Sequence, residues 1–187
     1  GLDIQKTFLL TTLVWVVLSI FASIPFVLGY TNANLVDAIF EAVSGITTTG
    51  STVFSELDKM PKGLLLWRGI LQWLGGIGII VVAMVFLPEL RVGGMQIFRA
   101  EGFDTLGKIL PRATTIAFQI SIIYVGITIA CGLAYVLAGM SFFDAVVHSF
   151  TTVATGGFSN YDGSFSVFSW QVEYVAILFM ILSALPF

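Results

Sequence analysis

Two clusters of small polar residues interrupt an otherwise apolar chain: Thr47-Thr48-Thr49-Gly50-Ser51 and Ala154-Thr155-Gly156-Gly157-Phe158. Neither places a nucleophile, a base and an orienting group at catalytic spacing, so no catalytic residue is assigned and no enzyme is expected. With one histidine, His148, and one cysteine, Cys131, a transition-metal site is not expected, and Cys131 has no partner for an intrachain disulfide. What the clusters do offer is backbone. Successive carbonyl oxygens in an extended, glycine-containing strand can replace the hydration shell of a cation, and glycine supplies backbone angles that other residues resist. No basic ring accompanies either cluster, so the expected chemistry is selection of a cation by peptide carbonyls.

Such segments need a setting that excludes water. Hydrophobic residues make up 57% of the chain and charged residues 10%, which is outside the range of a soluble domain and predicts a membrane protein. Charge-free runs of 30 residues (Thr7 to Val36), 20 (Gly69 to Pro88) and 31 (Ala113 to Phe143) can each span a hydrocarbon core of about 30 Å. A fourth run, Tyr174 to Phe187, holds 14 residues and is read as a span cut by the end of the chain, so the sequence is expected to be a fragment. No small-residue cleavage site marks the first run as a signal peptide.

An internal repeat organises these parts. At a constant offset of 107, "DAIFEAVSGITTTGST" (Asp37 to Thr52) lies over "DAVVHSFTTVATGGFS" (Asp144 to Ser159), matching Asp37 with Asp144, Ala38 with Ala145, Thr48 with Thr155 and Gly50 with Gly157. Each copy sits between two apolar runs. A helix from about Leu35 to Ile46 would be about 18 Å long, enough to enter a membrane and too short to cross it. Asn32 or Asn34 can cap it, Asp37 and Glu41 suit its positive start, and its negative end points toward Thr47. In the second copy Ser141 is the expected cap, Asp144 lies in the first turn and the helix ends near Val153. Irregular backbone at membrane depth must be buried in protein or line a watery cavity, which is the place predicted for both clusters. The predicted fold is therefore all-α and integral to the membrane, in repeated units of span, re-entrant pore helix with filter loop, and span. Residues 1–88 form the first unit, 89–112 a linker and 113–187 the second unit, with its inner helix truncated.

Basic residues near spanning segments stay cytoplasmic. The linker holds Arg91, Arg99, Lys108 and Arg112, half of all Lys and Arg in the chain, which puts it in the cytoplasm and the filter mouths on the extracellular or periplasmic face.

With "VSGITTTGS", "QWLGGIGIIVVAMVFLP" (Gln72 to Pro88), "LRVGGMQIFRAEG" (Leu90 to Gly102) and "TTVATGGFS" in that order, the chain resembles the Trk/Ktr/HKT superfamily of potassium channels and transporters, most closely its bacterial TrkH type. The resemblance covers essentially the whole chain. It implies four nonidentical pore units around one potassium pathway in the inner membrane, of which this chain carries the first two. Gly50 and Gly157 would be the characteristic filter glycines, and glycine rather than serine at Gly50 points to potassium over sodium. Thr48, Thr49, Thr155 and Gly156 would offer filter carbonyls, with Thr47 and Ala154 one step deeper. Potassium would be held by backbone carbonyls only, with no cofactor, and would move downhill. The family further implies a homodimer and a cytoplasmic nucleotide-binding regulatory subunit, for which Arg91, Arg99, Lys108 and Arg112 offer a docking surface. Nothing points to nucleic acid.

Blander roles compete at several positions. Ser/Thr back-bonding and close helix packing could explain the clusters themselves. Gly75, Gly76 and Gly78 read as a packing face, Cys131 as packing, His148 as a structural or vestibule residue, and Arg68 as a side chain snorkelling at a span end, with stabilisation of a filter-supporting loop as its alternative. Asp37 and Asp144 serve as helix starts or concentrate cations at a mouth, and Trp15, Trp67, Trp73 and Trp170 include interface anchors. The competing functions are a secondary transporter, sodium or proton coupled, with re-entrant ion-binding segments, and a non-conducting membrane scaffold. Two further Thr/Gly segments in a longer sequence would favour the four-part pore.

Overall fold

Asn34 and Ser141 each have extended backbone and begin a helix. Asn34 Oδ1 accepts the Asp37 N–H at 2.9 Å and Ser141 Oγ accepts the Asp144 N–H at 3.2 Å, so each cap satisfies a donor that the helix start leaves without a partner. The computed structural model describes residues 4–29, 33–90 and 106–184, with the backbone alone for 4, 5, 7, 79–90 and 106–117. The helices are α1 (Ile4–Leu28), α2 (Leu35–Ile46), α3 (Lys62–Leu90), α4 (Leu106–Leu137), α5 (Phe142–Val153) and α6 (Trp170–Ala184). Short 3-10 turns at Leu57–Lys59 and Ser164–Val167 lie in the connections that follow the two Thr/Gly segments. No strand occurs among the described residues.

The first and third of the long apolar runs are each broken before a short helix. The first stops at Leu28, where the Gly29 N–H closes on Pro25 O at 2.8 Å, and restarts at Leu35. The third stops at Leu137, passes Gly139 at φ 102° and restarts at Phe142. Glycine is suited to that turn because its backbone is left-handed there. What remains of these runs still suffices to cross a membrane: Phe8–Leu28 has 21 residues and Phe118–Leu137 has 20. In contrast, α2 and α5 have 12 residues each.

Each unit has its own apolar core. In the first, Ala22 and Phe26 of α1 meet Ala38 and Ala42 of α2 and Leu64 and Leu71 of α3. Small residues bring these helices close, while Leu9, Leu13, Val16, Ile20 and Phe21 stay exposed on α1, as a lipid-facing surface requires. In the second, Cys131 and Tyr135 of α4 pack with Ala145 and Val153 of α5 and with Val172 and Ala176 of α6, so Cys131 is a packing residue. Helix α3 joins the units by packing on both short helices. Trp73 Nε1 donates to Thr128 Oγ1 at 3.0 Å and Tyr124 Oη donates to Trp73 O at 3.1 Å, tying α3 to α4. Trp67 Nε1 donates to Ala22 O at 2.9 Å, whereas Trp170 is exposed, as an interface anchor would be.

Asn32, Arg91 and Arg99 lie outside the described residues. Lys108 and Arg112 fall in the first two turns of α4, and their side chains are not described.

Candidate functional site

The two short helices end in the same way. After α2, Thr48 N–H reaches Gly45 O at 3.0 Å and Thr49 N–H reaches Ser44 O at 2.9 Å; after α5, Thr155 N–H reaches Thr152 O at 3.0 Å and Gly156 N–H reaches Thr151 O at 2.8 Å. This paired closure is the Schellman arrangement, which places one residue in the left-handed region and normally uses glycine there. Here that residue is a threonine in both copies, Thr48 at φ 56° and Thr155 at φ 53°. A β-branched residue in that region stores about 1–3 kcal/mol, and it persists only where its surroundings fix it. Two residues later the backbone returns to positive φ, at Gly50 (78°) and Gly157 (82°). The repeat read from the sequence is thus also a repeat of backbone handedness.

The two segments lie side by side. A Cβ built on Gly50 would overlap Gly156 O, so this glycine is required by close approach as well as by its φ. Thr47, Thr49, Thr155 and Gly157 are exposed, Thr48 and Gly50 are half-buried, and Ala154 and Gly156 are buried. Thr47 Oγ1 donates back to Val43 O at 2.7 Å and lies 2.7 Å from Thr49 Oγ1.

One face of α3 supports both segments. Residues 68, 72, 75 and 76 follow helical spacing and point the same way. Lowest on this face, a Cβ on Gly75 would overlap Ile46 O and one on Gly76 would lie 3.3 Å from Ala154 Cα, so the two glycines let α3 pass the ends of both short helices. This agrees with a packing role for them; a Cβ on Gly78 would meet the Trp15 ring at 3.6 Å. One turn up, Gln72 Oε1 accepts the Phe158 N–H at 3.1 Å.

Above Gln72, Arg68 departs from the first of the two roles read for it. It does not snorkel: its side chain is 1% exposed and its Nε meets Glu41 Oε1, itself 0% exposed, at 2.7 Å. Nη1 donates to Ser159 O at 2.7 Å, Nη2 donates to Thr52 Oγ1 at 3.2 Å, and the guanidinium lies 4.2 Å from the Phe158 ring centre. Glu41 also accepts from Thr52 Oγ1 at 2.8 Å and from Val53 N–H at 3.1 Å. A buried arginine needs a carboxylate and filled donors to offset its desolvation, and this one finds them on both copies. Arg68 therefore clasps the outer ends of the two Thr/Gly segments together.

His148 occupies the position matching Glu41. Its Nδ1 lies 2.9 Å from Asp144 O, which can only accept, so Nδ1 carries the proton and the neutral Nε2 accepts from Ser159 Oγ at 3.1 Å. Ser159 in turn accepts the Tyr161 N–H at 3.2 Å. Of the two roles read for His148, the structural one fits this burial. In the first turn of α5, Asp144 accepts from Asn160 Nδ2 at 2.8 Å, Ser141 Oγ at 2.7 Å and Tyr161 Oη at 3.0 Å. Burial pushes its carboxyl up, but these hydrogen bonds outweigh burial and hold it below the ordinary carboxylate value. Asp162 accepts the Glu56 and Leu57 N–H groups at 2.9 and 3.2 Å, stapling the outer loops of the two units.

Residues 2–187 match the family described as TrkH, cation transport protein. The chain belongs to the TrkH family. It is 51% identical over 184 residues to the Trk system potassium uptake protein TrkI of Halomonas elongata, covering 97% of this chain and 37% of that protein. It is 44% identical over 183 residues to TrkH of Escherichia coli K12, covering 96% and 38% respectively. The crystal structure of the potassium transporter TrkH from Vibrio parahaemolyticus superposes with a TM-score of 0.87 at 42% identity, covering all of this chain and 37% of that one. The fold is thus the all-α membrane fold of that transporter, and the chain spans little more than a third of the length of these relatives.

Glu41 and Gln72 were not among the residues read from the sequence as forming the site. The available signal was the spacing Arg68, Gln72, Gly76 in an apolar helix, because polar side chains within a span face protein rather than lipid.

Proposed function

We propose that this chain supplies the first two pore units of a potassium uptake protein, with residues 1–88 and 113–187 as the units and 89–112 as a cytoplasmic linker. Potassium passes down its electrochemical gradient between filter strands that include Thr47, Thr48, Thr49 and Gly50 and Ala154, Thr155, Gly156 and Gly157. The observation that carries this reading is the duplicated handedness, positive φ at Thr48 and Gly50 and again at Thr155 and Gly157. In a uniformly extended chain successive carbonyls turn to opposite sides; left-handed angles at alternate residues turn them to one side, as a carbonyl-lined ion path requires. The relatives' names, Trk system potassium uptake proteins, support potassium as the ion. Each short helix adds its partial negative end to the cation's surroundings.

The ion needs no cofactor, because peptide oxygens replace its hydration shell. The reading places the protein in the inner membrane as a multi-pass homodimer, with filter mouths extracellular or periplasmic. Arg91, Arg99, Lys108 and Arg112 then face the cytoplasm, where a nucleotide-binding regulatory subunit would dock. An inside-negative potential drives uptake with roughly 2.3 kcal/mol per charge per 100 mV.

The test is potassium and sodium flux into liposomes carrying the full-length parent, wild type against Gly50→Ser. Selective potassium flux that loses its preference in the variant is the expected outcome. Selectivity unchanged by Gly50→Ser would remove this segment from the ion path.

A further inference from the structure

Gln72 sits in α3 with no exposed surface. Its amide orientation is fixed by chemistry: the Phe158 N–H can only donate, so the oxygen, 3.1 Å away, must face it. The carboxamide then packs against Gly156, with its Nε2 group the part nearest Gly50. A Cβ on Gly156 would lie 2.6 Å from Nε2 and overlap Gln72 Cδ, and a Cβ on Gly50 would lie 3.7 Å from Nε2. Among the described residues Nε2 has no hydrogen-bond partner. A buried amide donor is costly without an acceptor, and this one lies beside Gly50 and Gly156.

The asymmetry between the copies points to the same residue. Gly156 stands where the first copy has Thr49, although neither position has a left-handed φ. Backbone angle therefore does not demand glycine at 156. The Gln72 carboxamide does, because it fills the space a side chain would take.

We propose that Gln72 is a selectivity-determining positioning residue, a brace behind the two filter strands that anchors Phe158 and holds Gly156 against Gly50. It acts through the strands, not by touching the ion. This inference rests on the potassium-uptake reading and assigns α3 a role in it beyond closing the pore wall.

The experiment uses the full-length parent in liposomes and compares potassium with sodium flux in wild type, Gln72→Met, Gly156→Ala, Gln72→Ala and the double variant Gln72→Ala/Gly156→Ala. Gln72→Met keeps volume and removes the amide, and should lower the potassium preference by about fivefold, the scale of one net hydrogen bond, with total flux retained. Gly156→Ala should abolish selective flux in the Gln72 background and cost little more once Gln72 is shortened, since residues in direct contact are non-additive. Wild-type selectivity in Gln72→Met overturns the inference. So does a Gly156→Ala effect of equal size in both backgrounds, which decides the matter even if Gln72→Met fails to assemble. A wild-type protein that moves no potassium overturns the functional reading and this inference with it, whereas a selective wild type with additive variants overturns the inference alone.

Discussion

Behind the first Thr/Gly segment stands an ion pair, Glu41 with Arg68; at the matching position behind the second stands a neutral imidazole, His148, held between Asp144 O and Ser159 Oγ. The backbones in front of them are nearly the same, with left-handed residues at the same repeat positions. Duplication has kept the geometry and exchanged the chemistry that props it. The cause lies in α3, which packs against both α2 and α5. Its Arg68 and Gln72 side chains reach across, so the second segment leans on the first unit's helix as well as on its own. One charged donor in that position needs one carboxylate. Glu41 provides it from the near side, and a second carboxylate at position 148 would be a buried charge without a partner.

Breaking the pair should have the largest effect. Arg68→Met leaves Glu41 charged and buried and should destabilise the protein by about 3–5 kcal/mol, read as thermal unfolding of the full-length protein in detergent. The double variant Glu41→Gln/Arg68→Met should recover part of that loss, because the neutral pair no longer leaves a charge stranded. On the other side of the comparison, His148→Leu removes two neutral hydrogen bonds and should cost about 1–3 kcal/mol. If His148→Leu proved as costly as Arg68→Met, the contrast between a charged and a neutral prop would fail.

Gly50 and Gly157 carry the same contrast in the backbone itself. Both have positive φ, so alanine at either should cost roughly 1–2 kcal/mol of backbone strain. Only Gly50 also faces an overlap, with Gly156 O; a Cβ on Gly157 meets nothing within 4 Å among the described residues. Gly50→Ala should therefore lose both stability and potassium uptake, and Gly157→Ala should be the milder by about 1–3 kcal/mol, the usual cost of overpacking. Equal losses would mean that φ alone, and not the approach of the strands, dictates these glycines.

Local chemistry made part of this legible beforehand. The bounds Leu35 to Ile46, the Ser141 cap and the end near Val153 followed from a cap residue, an acidic first turn and a Thr/Gly break, all within one stretch of chain. The supporting role of Arg68 stood second to snorkelling because its partners are remote: Glu41 lies 27 residues back and Ser159 lies 91 ahead. Position near a span end suggests snorkelling, and nothing local signals a carboxylate waiting on a neighbouring helix. Gln72 was hidden likewise, with its contact 86 residues away. The identity of a filter segment is carried by adjacent residues, but its supports come from elements that meet only once the helices have packed.

The smallest effect separates the two aspartates that begin the short helices. Asp144 gathers Asn160 and Tyr161, whose repeat partners in the first copy are Val53 and Phe54. Those apolar residues cannot donate from a side chain, and Phe54 instead packs edge-on against Phe26 at 5.3 Å. Among the described residues no side-chain donor reaches the Asp37 carboxylate, and Asp37 enters the cap through its own N–H. Because the Asp144 carboxyl is held below its ordinary value in the folded state, its contribution is complete above the unfolded-state value and fades as pH falls through the folded one. Thermal unfolding of the full-length protein between neutral and acid pH should therefore show an acid-side loss of stability that Asp144→Asn reduces and Asp37→Asn leaves in place. An equal response from both variants would place the acid sensitivity in the helix starts in general, which both copies share, and not in the hydrogen-bonded mouth that only the second copy has built.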